Sequence, residues 1–422
     1  MYKKYLNCYS TLLISLLSIT LGILLLTLNI KLLFLVIYLI SIILIIYAAS
    51  NLLKLITKKY QKEKKIGIII QILLNTIIPI IFVIIPNIPL SIFSIIFGLY
   101  ILFNATVKLI NYIILKKNKV RGRLIELIIF IFYLVFGLSC IFLPLVRLDT
   151  IITIISIYFI LLGISQFTDF IFQVIPKHKK NNLKRKIKIT LPVFLSVLIP
   201  HSILQEINKD IEIEYKNRKN ISKDNKPDIE IFIHVTKDGF GAMGHADLYF
   251  DNEIISYGNY DYHSIRVFES IGDGVLFTTP NKEKYIEFCK KNSKKTLFGF
   301  GLKLTDKQIK AVRNKIKKIK ENTYEWNIPS ILAQEKPSKK DFYAVRLYRE
   351  TQPQFYKFKS GKFKTYFVLG TNCVLLVDSI LGASGIDILK INGIITPGTY
   401  YDYLATEYIK KNSNVISYTI YK

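Results

Sequence analysis

LLFLVIYLISIILIIYAASNLL, running from Leu32 to Leu53, contains no charged residue. The hydrocarbon core of a bilayer is about 30 Å thick and a helix rises about 1.5 Å per residue, so roughly 20 apolar residues span it. By length and composition this stretch is a transmembrane helix. Thr11 to Leu28, Ile68 to Ile85, Leu90 to Leu115, Leu124 to Leu143 and Ile151 to Val174 have the same character. A further stretch, Ile187 to Leu204, is interrupted by Pro192 and Pro200 and carries His201 near its end. It reads as a seventh span, with an interfacial segment lying in the headgroups as the alternative.

The 422 residues are 51% hydrophobic, yet carry 58 Lys plus Arg against 30 Asp plus Glu, for a net charge of +28. These extremes oppose each other on one surface, so they must be segregated along the chain. The reading divides it into a transmembrane bundle over residues 1–206, a Lys/Asn/Asp-rich linker over 207–227 and a water-soluble domain over 228–422.

Cations crowd Lys54 to Lys65, Lys116 to Arg123 and Lys177 to Lys188, while the intervening turns hold only Lys31 and Arg147. The positive-inside rule makes the crowded loops and the N-terminus cytoplasmic. Seven spans would place the soluble domain outside the cytoplasm and six would keep it inside; the expectation is a multi-pass protein of the cell membrane with seven spans and an extracytoplasmic domain. The first apolar run lacks a small-residue cleavage site and is read as a retained helix. Much of the positive charge sits beside the membrane, where it sets topology and contacts anionic lipid, so the expected partner is the bilayer and not nucleic acid. No charge falls at mid-membrane depth, which argues against a proton or ion pathway. Asp169 and the small polar residues read as helix-packing or headgroup contacts.

The bundle reads as three two-helix units spaced by roughly 55 to 60 residues, the range in which repeats define architecture. Each first helix ends in a short, nearly uncharged turn: Asn29-Ile30-Lys31, Pro86 to Pro89, and Pro144 to Asp149. Each second helix ends in polar residues, at Ser50-Asn51, Asn104 to Thr106 and Ser165-Gln166. In this hairpin pattern the region resembles the short-repeat membrane proteins of the acid-resistance HdeD type.

Beyond the linker, strand signals take over. Ile229 to Val235 and His245 to Phe250 alternate, Asp251-Asn252 is a turn, and Glu253 to Tyr262 is an aromatic, β-branched run, together a β-meander. Ile309, Val312, Ile316 and Ile319 have helical spacing behind a Thr305 cap. Further on, Tyr366 to Gly382 reads as a strand end, a turn and a short apolar helix capped by Thr371 or Asn372, with Cys373 in its first turn. Unpaired N–H groups and the positive helix end favour a thiolate there. A cysteine nucleophile also needs a base, and His245, preceded by Gly239, Gly241 and Gly244, is the candidate. His234 and His263 read as surface or strand-edge histidines, and Cys289 as a packing residue. With two cysteines in or near membrane helices, Cys8 and Cys140, and two in the soluble domain, no disulfide framework is expected. No phosphate loop or metal-ligand spacing is present, so no cofactor or metal is expected.

The pattern Gly244-His245, then Tyr257-Gly258-Asn259, then Asn372-Cys373 resembles the circularly permuted NlpC/P60 group of bacterial papain-like proteins, over about Asp228 to Tyr408. The resemblance implies an α+β papain-like domain, an antiparallel sheet with helices, behind the multi-pass α-helical bundle. It implies Cys373 as nucleophile, His245 as base, and a polar third residue on the strand after the histidine, for which Asn259 and Tyr257 are the candidates. Asn372 would cap the helix and Gly244 would wall the site. The implied function is a membrane-anchored cysteine hydrolase or acyltransferase acting on an amide or ester, a cell-wall peptide or a lipid acyl group, through an acyl-enzyme. The alternative is a non-catalytic protein whose papain-like domain binds a peptide or lipid.

Overall fold

The structure, a computed structural model, describes residues 2–57, 62–174, 185–188, 226–235, 244–293, 296–328, 342–383, 387–390, 397–409 and 413–421. Most of the linker, Gly239 and Gly241, and the seventh stretch from residue 189 onward, with Pro192, Pro200 and His201, lie outside these residues.

Six apolar helices come first: α1 (Tyr2–Leu28), α2 (Ile30–Thr57), α3 (Lys62–Ile84), α4 (Asn87–Lys117), α5 (Arg123–Phe142) and α6 (Leu148–Val174). Five of them, α2 to α6, are long and apolar enough to cross a membrane, while the apolar part of α1 that is described, Leu12–Leu28, falls just short. Their outward side chains are large and apolar, as expected where the surrounding medium is lipid. Close helix contacts are made instead by small residues. Ser15 Oγ donates to the Gly163 carbonyl at 2.9 Å, and a Cβ on Gly22 would lie 2.8 Å from the Ser156 carbonyl oxygen. Between α4 and α5, Ser94 Oγ donates to the Cys140 carbonyl at 3.1 Å, and a Cβ on Gly98 would lie 2.9 Å from the Gly137 carbonyl oxygen.

By internal contacts the chain divides into two compact units, residues 13–112 with 124–164, and residues 1–12, 113–123 and 165–422. The second unit contains strands β1 (Arg185–Lys188), β2 (Ile229–Val235), β3 (His245–Phe250), β4 (Glu253–Gly258), β5 (Ile271–Asp273) and β6 (Val275–Thr279). Helix α7 (Lys282–Ser293), β7 (Thr296–Leu302), α8 (Asp306–Glu321), β8 (Thr323–Glu325), α9 (Tyr343–Thr351), β9 (Gln354–Phe358) and β10 (Thr365–Phe367) come next along the chain. Helix α10 (Cys373–Gly382), β11 (Asp387–Lys390), α11 (Pro397–Ile409) and β12 (Val415–Tyr421) complete it.

Eight strands form one antiparallel sheet in the order β12-β7-β2-β3-β4-β6-β9-β8. Both faces are covered. Ile231, Ile233, Leu248 and Phe300 pack with Val312 and Ile316 of α8, Val374 and Val377 of α10, and Tyr400 and Leu404 of α11. Phe232, Ile254 and Phe277 pack on the other face with Tyr285 and Phe288 of α7 and Ala344 and Leu347 of α9. Thr305 caps α8 in a capping box with Gln308. Double coverage is why β2 reads Ile-Glu-Ile-Phe-Ile-His-Val, a strand with few polar positions.

Two smaller ribbons lie outside this sheet. β5 and β10 pair antiparallel, Thr365 opposite Asp273 and Phe367 opposite Ile271. β1 pairs parallel with β11, Arg185 opposite Asp387 and Lys188 opposite Lys390. Residues 187 and 188, expected to begin a seventh helix, are thus in a strand joined to the C-terminal domain. The basic residues of this segment make its entry into hydrocarbon costly, so backbone pairing with a partner strand is the better outcome for it.

Candidate functional site

The meander places the chemistry at one end of β3. His245 is the first residue of that strand and lies opposite His234 of β2; two residues on, Asp247 lies opposite Phe232 of β2 and Ser256 of β4. A strand repeats every two residues, so His245 and Asp247 share one face. Gly244, just ahead, adopts φ +78, and a Cβ there would lie 2.7 Å from the His234 carbonyl oxygen, so only glycine fits this approach to the site.

Cys373 is the first residue of α10, and Asn372 is its N-cap, its side-chain oxygen accepting from the Leu375 N–H at 3.0 Å. Thr371 instead donates through its hydroxyl to the Thr365 carbonyl at 2.6 Å. The structure brings Cys373 beside His245, near enough for its sulfur to act on the charge of the imidazole. Asn372 and Gly244 stand in the turns that deliver these two residues.

The third group beside His245 is Asp247. Its carboxylate lies 2.9 Å from His245 Nε2 through Oδ1, and 2.7 Å from His234 Nε2 through Oδ2. It also accepts from the Tyr285 hydroxyl at 2.5 Å. Ser256 Oγ and the Tyr260 hydroxyl sit 2.9 and 3.1 Å from His245 Nε2 and 2.8 Å from each other. The two candidates proposed from sequence do not reach the imidazole by hydrogen bond. Tyr257 donates to the Phe363 carbonyl at 3.0 Å, and Asn259 donates through Nδ2 to the Glu269 carbonyl at 2.8 Å. Tyr257 faces the opposite side of its strand from Ser256, and Asn259 lies past the strand end, where the chain turns away. His234 is also not a surface residue: it is 1% exposed and paired with the carboxylate. His263, by contrast, is exposed, on a short 3₁₀ turn at Tyr262–Ser264. Cys289, on the inner face of α7, is wholly buried in the core.

A carboxylate with no exposure between two imidazoles is a strong electrostatic element. Burial opposes charge on Asp247, but the charges of His245 and His234 and their hydrogen bonds hold its carboxyl well below the usual range. Burial likewise opposes charge on His245, yet the Asp247 carboxylate and then the Cys373 sulfur outweigh it and push the imidazole up to about 10. His245 is therefore a cation at neutral pH. Burial raises the Tyr260 phenol well above its ordinary value, so it stays protonated as a hydrogen-bond donor.

Asp247 does carry a signal in the sequence: a His-x-Asp spacing on an alternating strand puts both polar groups on one face, among positions otherwise apolar. His234 and Tyr285 carry none, because their link to the site is made only by strand register and helix packing. Among the described residues, no cluster of three or more His, Cys, Asp or Glu has the arrangement to hold a metal ion.

Comparison with known families finds a short repeat of unknown function, DUF308, over residues 71–142 and again over 131–185. The two matches start 60 residues apart and fit the HdeD-type membrane region of two-helix repeats. With its apolar helices this makes the chain a multi-pass membrane protein. No curated protein and no solved structure matches the chain. The site residues lie outside the matched region.

Proposed function

We propose that the C-terminal domain is a thiol hydrolase or acyltransferase that works through an acyl-enzyme on Cys373, as the resemblance to permuted NlpC/P60 papain-like proteins implies. The observation that carries this reading is the buried Asp247–His245 pair with Cys373 beside it, which gathers a nucleophile, a proton carrier and an anionic orienter in one place. The sulfur attacks a carbonyl carbon, forming a C–S bond. As the C–O or C–N bond breaks, His245 gives its proton to the leaving oxygen or nitrogen. Water or an acceptor hydroxyl then attacks the thioester, returns a proton to His245 and frees the sulfur. The Leu375 N–H is taken by the Asn372 cap, so the amides of Cys373 and Val374 at the start of α10 are the donors offered to the developing oxyanion.

The β1–β11 pairing bears on which substrate is in reach. Strand β1 closes the cationic Lys177 to Lys188 loop, which the positive-inside rule puts in the cytoplasm, and a strand cannot pair across a bilayer. We therefore place the domain on the cytoplasmic side, opposite to the seven-span expectation, and favour a lipid ester or amide over a cell-wall peptide. The check is Tyr348→Cys, at a position 44% exposed, treated with a membrane-impermeant maleimide. Labelling is expected only after permeabilisation; labelling in intact cells would restore the extracytoplasmic reading.

The chemistry is tested by giving the full chain in lipid nanodiscs an alkyne-tagged fatty-acyl ester. Tag held on Cys373 as a hydroxylamine-labile thioester, and absent from Cys373→Ala, is expected. Cys373 is only 2% exposed, and this observation favours the second reading, a domain that binds peptide or lipid without cleaving it. Absence of tag from Cys373, with retained ester binding, would select that reading.

A further inference from the structure

In the C-terminal domain, the exposed large apolar side chains of the described residues are Tyr262, Tyr324, Tyr348, Val267 and Phe268. The tyrosines have a hydroxyl to offer water. Val267 and Phe268 do not, and they are 58% and 87% exposed. Phe268 is more exposed than any described large apolar residue on the membrane helices, of which Phe142 at 75% comes nearest. On the helices that exposure is to lipid; on Phe268 it calls for the same explanation.

The backbone holds this pair outward at a cost. Arg266 and Ile271 bridge, and between them Val267, Phe268 and Glu269 stand at φ 49, 51 and 62. Three consecutive left-handed residues that include a β-branched and an aromatic side chain are a strained conformation that the surroundings must hold in place. The turn is enforced locally. Ser270 donates to the Val267 carbonyl through both its N–H and its hydroxyl, and the Asn259 amide holds the Glu269 carbonyl.

The nearest apolar medium is the chain's own bilayer. The loop continues into the β5–β10 ribbon, and at the ribbon's far end Asn118 Nδ2 donates to Thr365 Oγ1 at 3.1 Å, both residues lying in the same compact unit. Asn118 directly follows α4 and lies in the cationic segment Lys116 to Arg123, where that helix leaves the hydrocarbon. A three-residue strand spans about 10 Å, so the loop tip is one short ribbon from the headgroup level. Exposed cations mark both ends of this ribbon, Arg266 at the loop and Lys362 and Lys364 beyond β10. Glu269 is the one carboxylate within the loop, and Asp273 is paired with Lys357 at 2.8 Å.

We infer that the Val267–Phe268 loop inserts into the headgroup–acyl boundary of the anionic bilayer that holds the helices. Such insertion reaches about 5–10 Å and gains from both the apolar pair and the flanking cations. The Val368 N–H donates to the Ser270 carbonyl at 3.0 Å and the Asn372 amide donates to the Val368 carbonyl at 2.9 Å, so the docked loop is two hydrogen bonds from the cap of Cys373. The docking does not depend on what chemistry Cys373 performs.

The test uses the full chain in nanodiscs of phosphatidylcholine and phosphatidylglycerol, with or without brominated acyl chains. Trp326 is the single tryptophan, so Phe268→Trp is placed in a Trp326→Phe background. Brominated lipid is expected to lower its emission by about half or more, the depth of an interfacial residue. Tyr348→Trp, on the helix packed against the opposite sheet face from Cys373, is expected to be unaffected. Omitting phosphatidylglycerol, or adding Arg266→Gln, is expected to weaken the quenching. Should the Trp326→Phe background fail to fold, the same comparison with Trp326 retained gives the signal by difference. Equal emission of Phe268→Trp in both lipids, or equal quenching of Tyr348→Trp, overturns the inference.

Discussion

Acylation of Cys373 is expected to slow on the order of 10²- to 10⁴-fold in both His245→Ala and Asp247→Asn. The first change removes the proton carrier. The second keeps its shape and neighbours but removes the larger of the two charges that oppose burial at His245, leaving only the Cys373 sulfur against it. An amide also accepts less strongly than a carboxylate, so the ring loses its fixed orientation. Tyr257→Phe and Asn259→Ala are expected to stay near the parent rate, because their hydrogen bonds go to the Phe363 and Glu269 carbonyls. Intact-mass time courses of the acyl adduct, with Cys373→Ala as the blank, read all four. A parent-like rate in Asp247→Asn would remove the carboxylate from the mechanism, and a parent-like rate in His245→Ala as well would leave no acyl-enzyme to explain.

The second large effect is on stability. Asp247→Ala is expected to destabilise the C-terminal domain by about 3–5 kcal/mol, because it strands two imidazoles and the Tyr285 hydroxyl around an emptied buried position. For a domain of this size that is a fall in melting temperature of roughly 6–20 °C, followed by the fluorescence of Trp326 in detergent. The pH dependence has a definite sign. His245 is raised from 6.5 to about 10, so its stabilisation is full below 6.5 and is lost as pH rises through about 10. Asp247 is depressed below 3.8, so its contribution is present above that pH and is lost as pH falls through its lowered value. The parent should therefore be most stable between these limits, and His245→Ala should flatten the alkaline side. A melting temperature within about 2 °C of the parent for Asp247→Ala would show that the carboxylate carries no such load.

The spans were fixed by composition, since a run such as Leu32 to Leu53 has no folded solution in water that satisfies its apolar surface and one ready solution in lipid. The meander and the Asn372 cap were equally local, because alternation and a capping side chain act within a few residues. His245 and Cys373 could each be singled out by type and by place in their elements. Their meeting could not, for they are 128 positions apart and only the packing of α10 against β3 joins them. Asp247, His234 and Tyr285 became one charged cluster only when β2, β3 and α7 were set side by side, since strand register and helix packing decide which buried groups share a dielectric. The same holds for Ile187 and Lys188: hydropathy read them as the start of a span, and the pairing of Arg185–Lys188 with Asp387–Lys390, just over 200 residues away, puts them in a strand. Hydropathy measures what one segment gains from lipid, and cannot include the backbone hydrogen bonds that a distant strand offers.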